Sequence, residues 1–479
     1  MEHIIDIDVV FKILIILYII NRMSTITNDN IKNISLGDLN LEIKPSNPTI
    51  SGIDKDIFIK NYGENNDIVT MCFLYNKNLK EYDFVNKFTL KFNTEYMYEG
   101  SLLIVGGGGG GGYNIGGGGG GGEVIYIDNI TFKGNINYNI VVGKGGAKGE
   151  SAFFHGDSGN NSGLNDILAK GGGGGASYVY DNPFNLLNEE TKLNFPLNDD
   201  VEDNILHARR GLDGGSGGGG CGFQYKNTID RSKYKYGKKT VLKNPISTFE
   251  NYYSFGNNGG VGNSYSLHER KKLYRVRGGG GGGAGADGEY ANTDRNSGRG
   301  GDGIAIEEID IGTRNITFCP LIFNGLKCEK EEIVDVVTKK TTEKLRVKNN
   351  TGNVRSLYWG GGGGAGSFNE RPGDGGKGGG GGGGYYEEIF SSPEDGYNCQ
   401  NSTTCEWQRG QIVKNTYITF PNYIINETEH EGRSFGDELT DANKNSDIAR
   451  GGYGIPHTGG GVVGVVYYLM GAMVVLELL

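Results

Sequence analysis

Apolar positions fall in short runs rich in β-branched and aromatic residues, separated by clusters of Asn, Asp and Gly, which is the pattern of half-buried strands and their turns. Strands are expected at Ile57 to Ile59, Ile68 to Tyr75 and Phe88 to Phe92, then at Leu102-Leu103-Ile104-Val105 and Val124-Ile125-Tyr126-Ile127. Asn129 to Phe132 and Tyr138 to Val142 read as a strand pair around Lys133-Gly134-Asn135. Near the end, Val462 to Leu469 reads as a closing strand, with a membrane span over Gly461 to Leu479 as the other reading of that apolar tail.

Between the strands at 102–105 and 124–127 stand two glycine runs, Gly106 to Gly112 and Gly116 to Gly122, parted by Tyr113-Asn114-Ile115. Glycine loses the most conformational freedom on ordering, so such a run stays loose unless its peptide groups find partners. One ordered state supplies them. In the extended three-residue helix, N–H and C=O point outward, and only glycine lets neighbouring chains approach closely enough to bond laterally. At about 3.1 Å per residue a seven-residue run spans roughly 22 Å, the length of a strand. A flexible spacer is the competing reading.

Recurrence favours the ordered state. Further runs lie at Gly171 to Gly175, Gly278 to Gly283, Gly360 to Gly364 and Gly378 to Gly384. Similar strand words flank them: N-I-T-F at Asn129 and Asn315, Tyr274 to Arg277 and Leu357 to Trp359 before runs, and Ser254-Phe255-Gly256 and Ser434-Phe435-Gly436 between them.

The expected fold class is therefore all-β, a β-sandwich or jelly-roll-like scaffold with inserted glycine runs packed as a polyglycine-II helix bundle. Ten prolines among 87 glycines, with no sustained G-X-Y period, exclude collagen, and 28 tyrosines with 20 phenylalanines oppose simple disorder. Three regions are expected: an apolar N-terminal segment over 1–23, which reads as an anchor or an upstream extension; a β region over 24–100; and a glycine-rich repeat domain over 101–479. A net charge of −10 removes any electrostatic reason to expect nucleic acid. The basic clusters Arg231 to Lys239 and His268 to Arg277 read as solvated loops.

Catalytic signatures are missing. Six glycines match G-x-G-x-x-G trivially, but Gly143-Lys144 and Gly376-Lys377 are followed by glycine rather than Ser or Thr, so no phosphate loop is expected. The histidines form no H-E-x-x-H, and no G-x-S-x-G elbow occurs. No enzymatic activity, cofactor or metal is expected. Gly282 to Asp287 matches the start of a calcium repeat, with Asp294, Asn296 and Asp302 nearby, yet tandem copies are lacking and a polar hairpin tip is the simpler reading. Cys319 with Cys328, and Cys399 with Cys405, are spaced for local disulfides in an oxidising compartment, with buried free thiols as the alternative reading, and Asn401 is the best glycosylation acceptor if the protein is secreted.

The succession L-L-I-V plus glycines, E-V-I-Y-I, Y-N-I-V-V-G-K-G-G-A, S-x-F-x-x-G and A-K-G-G-G-G-G resembles the glycine-rich domain of phage tail-tip adhesins and large DNA virus virion proteins, also seen in the anaplastic lymphoma kinase receptor ectodomain. The resemblance implies polyglycine-II helices on a β scaffold, with activity in loops at the bundle's end. It points to a non-enzymatic structural or adhesive protein of a virion or cell surface, displaying loops such as Tyr290 to Arg299 and Phe368 to Lys377. Its partners would be a protein or glycan receptor or a neighbouring virion subunit, with homo-oligomers and a membrane contact through the apolar ends also compatible. A secreted or membrane-anchored binding ectodomain is the alternative, and a flexible glycine-rich spacer the second.

Overall fold

A computed structural model of the chain describes residues 32–36, 39–45, 57–62, 68–75, 85–113, 116–149, 154–177, 210–222, 237–240, 252–268, 273–291, 297–305, 327–334, 341–348, 358–368, 372–381, 383, 385–386 and 473–478. Among the described residues there is no helix. The strands are β1 (Lys32–Leu36), β2 (Leu39–Pro45), β3 (Ile57–Tyr62), β4 (Ile68–Leu74), β5 (Val85–Phe92), β6 (Met97–Val105), β7 (Val124–Lys133), β8 (Asn137–Gly143), β9 (Ser162–Leu164) and β10 (Ile167–Ala169). They continue with β11 (Tyr252–Phe255), β12 (Asn263–His268), β13 (Leu273–Arg277), β14 (Ile304–Ala305), β15 (Lys327–Val334), β16 (Thr341–Lys348), β17 (Tyr358–Trp359), β18 (Ser367–Phe368), β19 (Tyr385–Tyr386) and β20 (Met473–Leu478).

Two six-stranded antiparallel sheets form a sandwich, one ordered β1-β2-β5-β8-β9-β10 and the other β11-β7-β6-β20-β4-β3. Alternation decides which side chains meet between them. Phe88, Leu90 and Phe92 of β5 and Tyr138, Ile140 and Val142 of β8 face Leu102 and Ile104 of β6, Ile125 and Ile127 of β7, and Met71 and Phe73 of β4. Phe92 sits within 5.2–5.8 Å, ring to ring, of Tyr98, Phe132 and Tyr138. Strands from before and after residue 100 share both sheets.

The expected pairing of 129–132 with 138–142 is not what forms. Both segments are strands, but β7 pairs with β6 and β11 while β8 pairs with β5 and β9, so the turn at Lys133-Gly134-Asn135 carries the chain from one sheet to the other. Asn135 takes the left-handed conformation there, at φ 57°, and the Tyr138 hydroxyl accepts the Lys133 N–H at 2.5 Å. The apolar tail does supply a strand to the sandwich, later than expected: β20 lies between β6 and β4, whereas 462–469 is outside the described residues. No helix among the described residues is long and apolar enough to cross a membrane.

The second basic cluster is more than a loop, since β12 and β13 pair across its two ends, with Tyr265 opposite Arg275. They belong to a smaller sheet ordered β12-β13-β18-β19. Two further pairs, β14 with β17 and β15 with β16, stand apart from it.

Candidate functional site

Strands β6, β8 and β10 run directly into glycine-rich segments, and β7, β9 and β11 adjoin others, so the glycine lattice sits end-on against the sandwich. Register survives the crossing. Val105 faces Val124 in the sheet; beyond it Gly106 donates to the Glu123 carbonyl at 2.9 Å, Gly109 to Gly120 at 2.8 Å and Gly112 to Gly117 at 3.0 Å. The β8–β9 pairing continues as Asn160 to Lys144 and Asp157 to Ala147, and β9–β10 as Gly159 to Gly172 and Gly156 to Gly175. In the lattice these bonds recur at every third residue, the period of polyglycine II.

The central run is 116–122. Gly117 and Gly120 donate to Ala176 and Gly173, Gly118 and Gly121 donate to Gly279 and Gly282, and Gly116 and Gly119 accept from Gly366 and Gly363. Gly219 and Ser216 donate to the carbonyls of Gly118 and Gly121. Neighbours therefore surround this run, and the steric consequence is direct. A Cβ at Gly117, Gly118 or Gly121 would lie 2.0 Å from a backbone oxygen, at Gly119 2.1 Å and at Gly120 2.2 Å. These runs are not tethers.

Peripheral runs are the part that the glycine blocks did not reveal. Segments 144–149, 154–160, 256–262, 298–303 and 373–376 join the same lattice although other residues interrupt their glycines. Their signal is a short G-x-x-G word. In G-N-N-G-G-V-G, Gly256, Gly259 and Gly262 come three apart, and a Cβ on each would meet a backbone oxygen of the 215–221 segment at 2.0–2.2 Å. Asn257, Asn258 and Val261, between them, have room for side chains and are half-buried.

Of the glycines expected to mark the helices, Gly106, Gly112, Gly116, Gly122, Gly171, Gly175 and Gly278 lie in bonded runs. Gly283 ends its run, because Gly283 donates to Ala286 where the chain bends back, forming the hairpin tip. Gly360 turns the chain from β17 into the lattice at φ 69°, and Gly364 lies inside the run. Gly378 is a correction: it and Gly379 have φ of 87° and 94° and make a turn, so the extended segment starts only after them. Gly384 lies outside the described residues, as do Cys319, Cys399, Cys405, Asn401, Asp294 and Asn296. Cys328 is in β15 opposite Val347.

Asp287 accepts the Asn258 N–H at 2.8 Å, and Asp302 accepts the Lys377 N–H at 2.9 Å and pairs with Arg299 at 2.6 Å. Asp287 of the calcium-like word and nearby Asp302 thus each hold a neighbouring run. Cys72 and Cys221 are buried, and burial pushes the Cys72 thiol well above its ordinary range. A residue missed from the sequence is Glu123, fully buried at the seam between lattice and sandwich. Its carboxylate accepts the Ser254 hydroxyl at 2.6 Å and the Lys170 N–H at 2.8 Å. Burial raises its pKa; the Ser254 and Lys170 hydrogen bonds and the charges of Lys239 and Lys170 oppose the rise.

Bond registers also fix the lattice's polarity. Residues 106, 123, 171 and 215 lie at the sandwich end, whereas 112, 116, 176, 219, 279 and 366 lie toward the far end. The sheet formed by β12, β13, β18 and β19 adjoins that far end, since β13 leads into Gly278 and β18 follows Gly366.

Together these features define a β-sandwich prolonged by a polyglycine lattice. Residues 86–310 match a family described as glycine-rich domain. Strands β2 and β4 before the matched stretch, and the 360–366 run after it, are built into the same sandwich and lattice. None of the curated proteins and none of the solved structures compared with the chain matches it.

Proposed function

We propose that this is a non-enzymatic structural and adhesive protein, a component of a virion surface or fibre, in which the lattice is a rigid spacer and the connections beyond its far end are recognition loops. The supporting observation is the polarity of the lattice. Ser177, Gly222, Ala291 and Phe368, the described residues that precede 178–209, 223–236, 292–296 and 369–371 in sequence, all lie toward the far end. Tyr290, next to Ala291, is 61% exposed. Loops on a rigid scaffold can vary without disturbing it, and a lattice locked by period-three bonds holds them in fixed relative positions. The ligand class is a protein or glycan receptor, or a neighbouring virion subunit.

The test replaces 178–209 by a short Gly-Ser link, and separately the β15–β16 hairpin, and measures attachment to receptor-bearing cells and to a glycan array. Loss of attachment only on far-end replacement, with hydrogen exchange at 116–122 unchanged, is expected. Attachment lost only on hairpin replacement would refute the reading.

A further inference from the structure

A finite polyglycine lattice has the weakness of an edge strand, because outward N–H groups at its rim template another chain. Side chains cannot blunt an all-glycine surface. On one flank, runs 211–214, 237–240, 256–260 and 285–289 lie side by side through Gly214 to Lys238, Gly259 to Gly237 and Gly288 to Asn258. In the two middle runs, 237–240 and 256–260, side chains of an adjacent run occupy backbone donors in the same way. Asp213 Oδ1 accepts the Lys238 N–H at 2.7 Å, Asn258 Oδ1 the Lys239 N–H at 2.9 Å, and Asp287 Oδ1 the Asn258 N–H at 2.8 Å. On another flank Asp302 Oδ1 holds the Lys377 N–H at 2.9 Å. Asp and Asn suit this task because their short side chains place an acceptor one run away without lifting the chains apart.

We infer that Asp213, Asn258 and Asp287 form a self-capped edge that keeps a second copy of this chain from adding its own glycine run to the lattice. Capping, rather than charge, is the operative property, since the strip carries Arg210, Lys238 and Lys239 as well as Asp213, Asp287 and Glu289. The inference does not depend on the adhesive role, for it concerns the lattice flank and not its far end.

The test is sedimentation velocity of the full chain over a range of concentrations, comparing the native protein with the triple variant Asp213→Gly, Asn258→Gly, Asp287→Gly. Expected is a rise in mass with concentration above that of the native protein, with hydrogen-exchange protection of 116–122 retained. Native mass with that protection retained overturns the inference. If the triple variant loses protection, the single variant Asn258→Gly decides: concentration-dependent association supports the cap, and its absence overturns it. The acceptor-preserving variant Asp213→Asn, Asn258→Asp, Asp287→Asn must keep the native mass; association of that protein would assign the effect to charge and overturn the inference.

Discussion

The sandwich and the lattice share register across their seam but bury opposite parts of the chain. In the sandwich, Leu90, Phe92, Ile104 and Ile140 are removed from water, and the stabilisation scales with apolar area. In the lattice the buried groups are peptide N–H and C=O, bonded to neighbouring runs at every third residue, and a side chain has nowhere to go. A hydrophobic core tolerates changes of volume by partial collapse. The glycine lattice lacks that tolerance, because its neighbours are backbone atoms already fixed by bonds on other sides.

The largest expected effect follows from that difference. Gly119→Ala puts a methyl 2.1 Å from the Gly109 oxygen, and it should destabilise the lattice by more than about 4 kcal/mol, read as loss of exchange protection along 106–122. Full retention of protection would break the comparison. Next comes Ile104→Ala between the sheets, a cavity mutation expected to cost about 2–5 kcal/mol in denaturant unfolding. A sharper contrast lies within one peripheral run. Gly259→Ala should disrupt it, since its Cβ would lie 2.1 Å from the Gly218 oxygen, whereas half-buried Val261→Ala should cost no more than about 1 kcal/mol.

The smallest effect concerns the seam. With its pKa raised by burial, Glu123 favours folding most when protonated; that contribution is complete below the unfolded carboxyl value and is lost as pH rises through the folded one. The stability of Glu123→Gln relative to the native protein should therefore increase as pH rises above the ordinary Glu value of about 4.3. A flat difference would show that the Ser254 and Lys170 hydrogen bonds cancel the burial cost.

Much of the fold was legible because its signals are local. Runs such as Leu102 to Val105 and Val124 to Ile127 announce strands through β-branched residues, and the uninterrupted glycines between them announce a place where no Cβ fits. Partner choice was not legible. Nothing in Asn129 to Phe132 or Tyr138 to Val142 states that the turn between them changes sheets, since pairing is settled by distant strands. The peripheral runs were hidden for a related reason: a helix at the rim needs glycine only where it meets a neighbour, so its word is G-x-x-G and composition dilutes it. Glu123 looked like an ordinary polar residue beginning a strand, and its acceptor role depends on Lys170 and Ser254, remote in sequence.

Burying peptide groups in place of apolar side chains also alters how the molecule meets temperature. Exposure of apolar surface raises the heat capacity on unfolding, and exposure of polar surface lowers it. Opening the lattice releases mostly peptide surface, so its stability curve should be flatter than that of the sandwich, with little weakening in the cold. On cooling, the two halves of one continuous set of strands would part company, the sandwich losing its entropic drive while the glycine end stays locked.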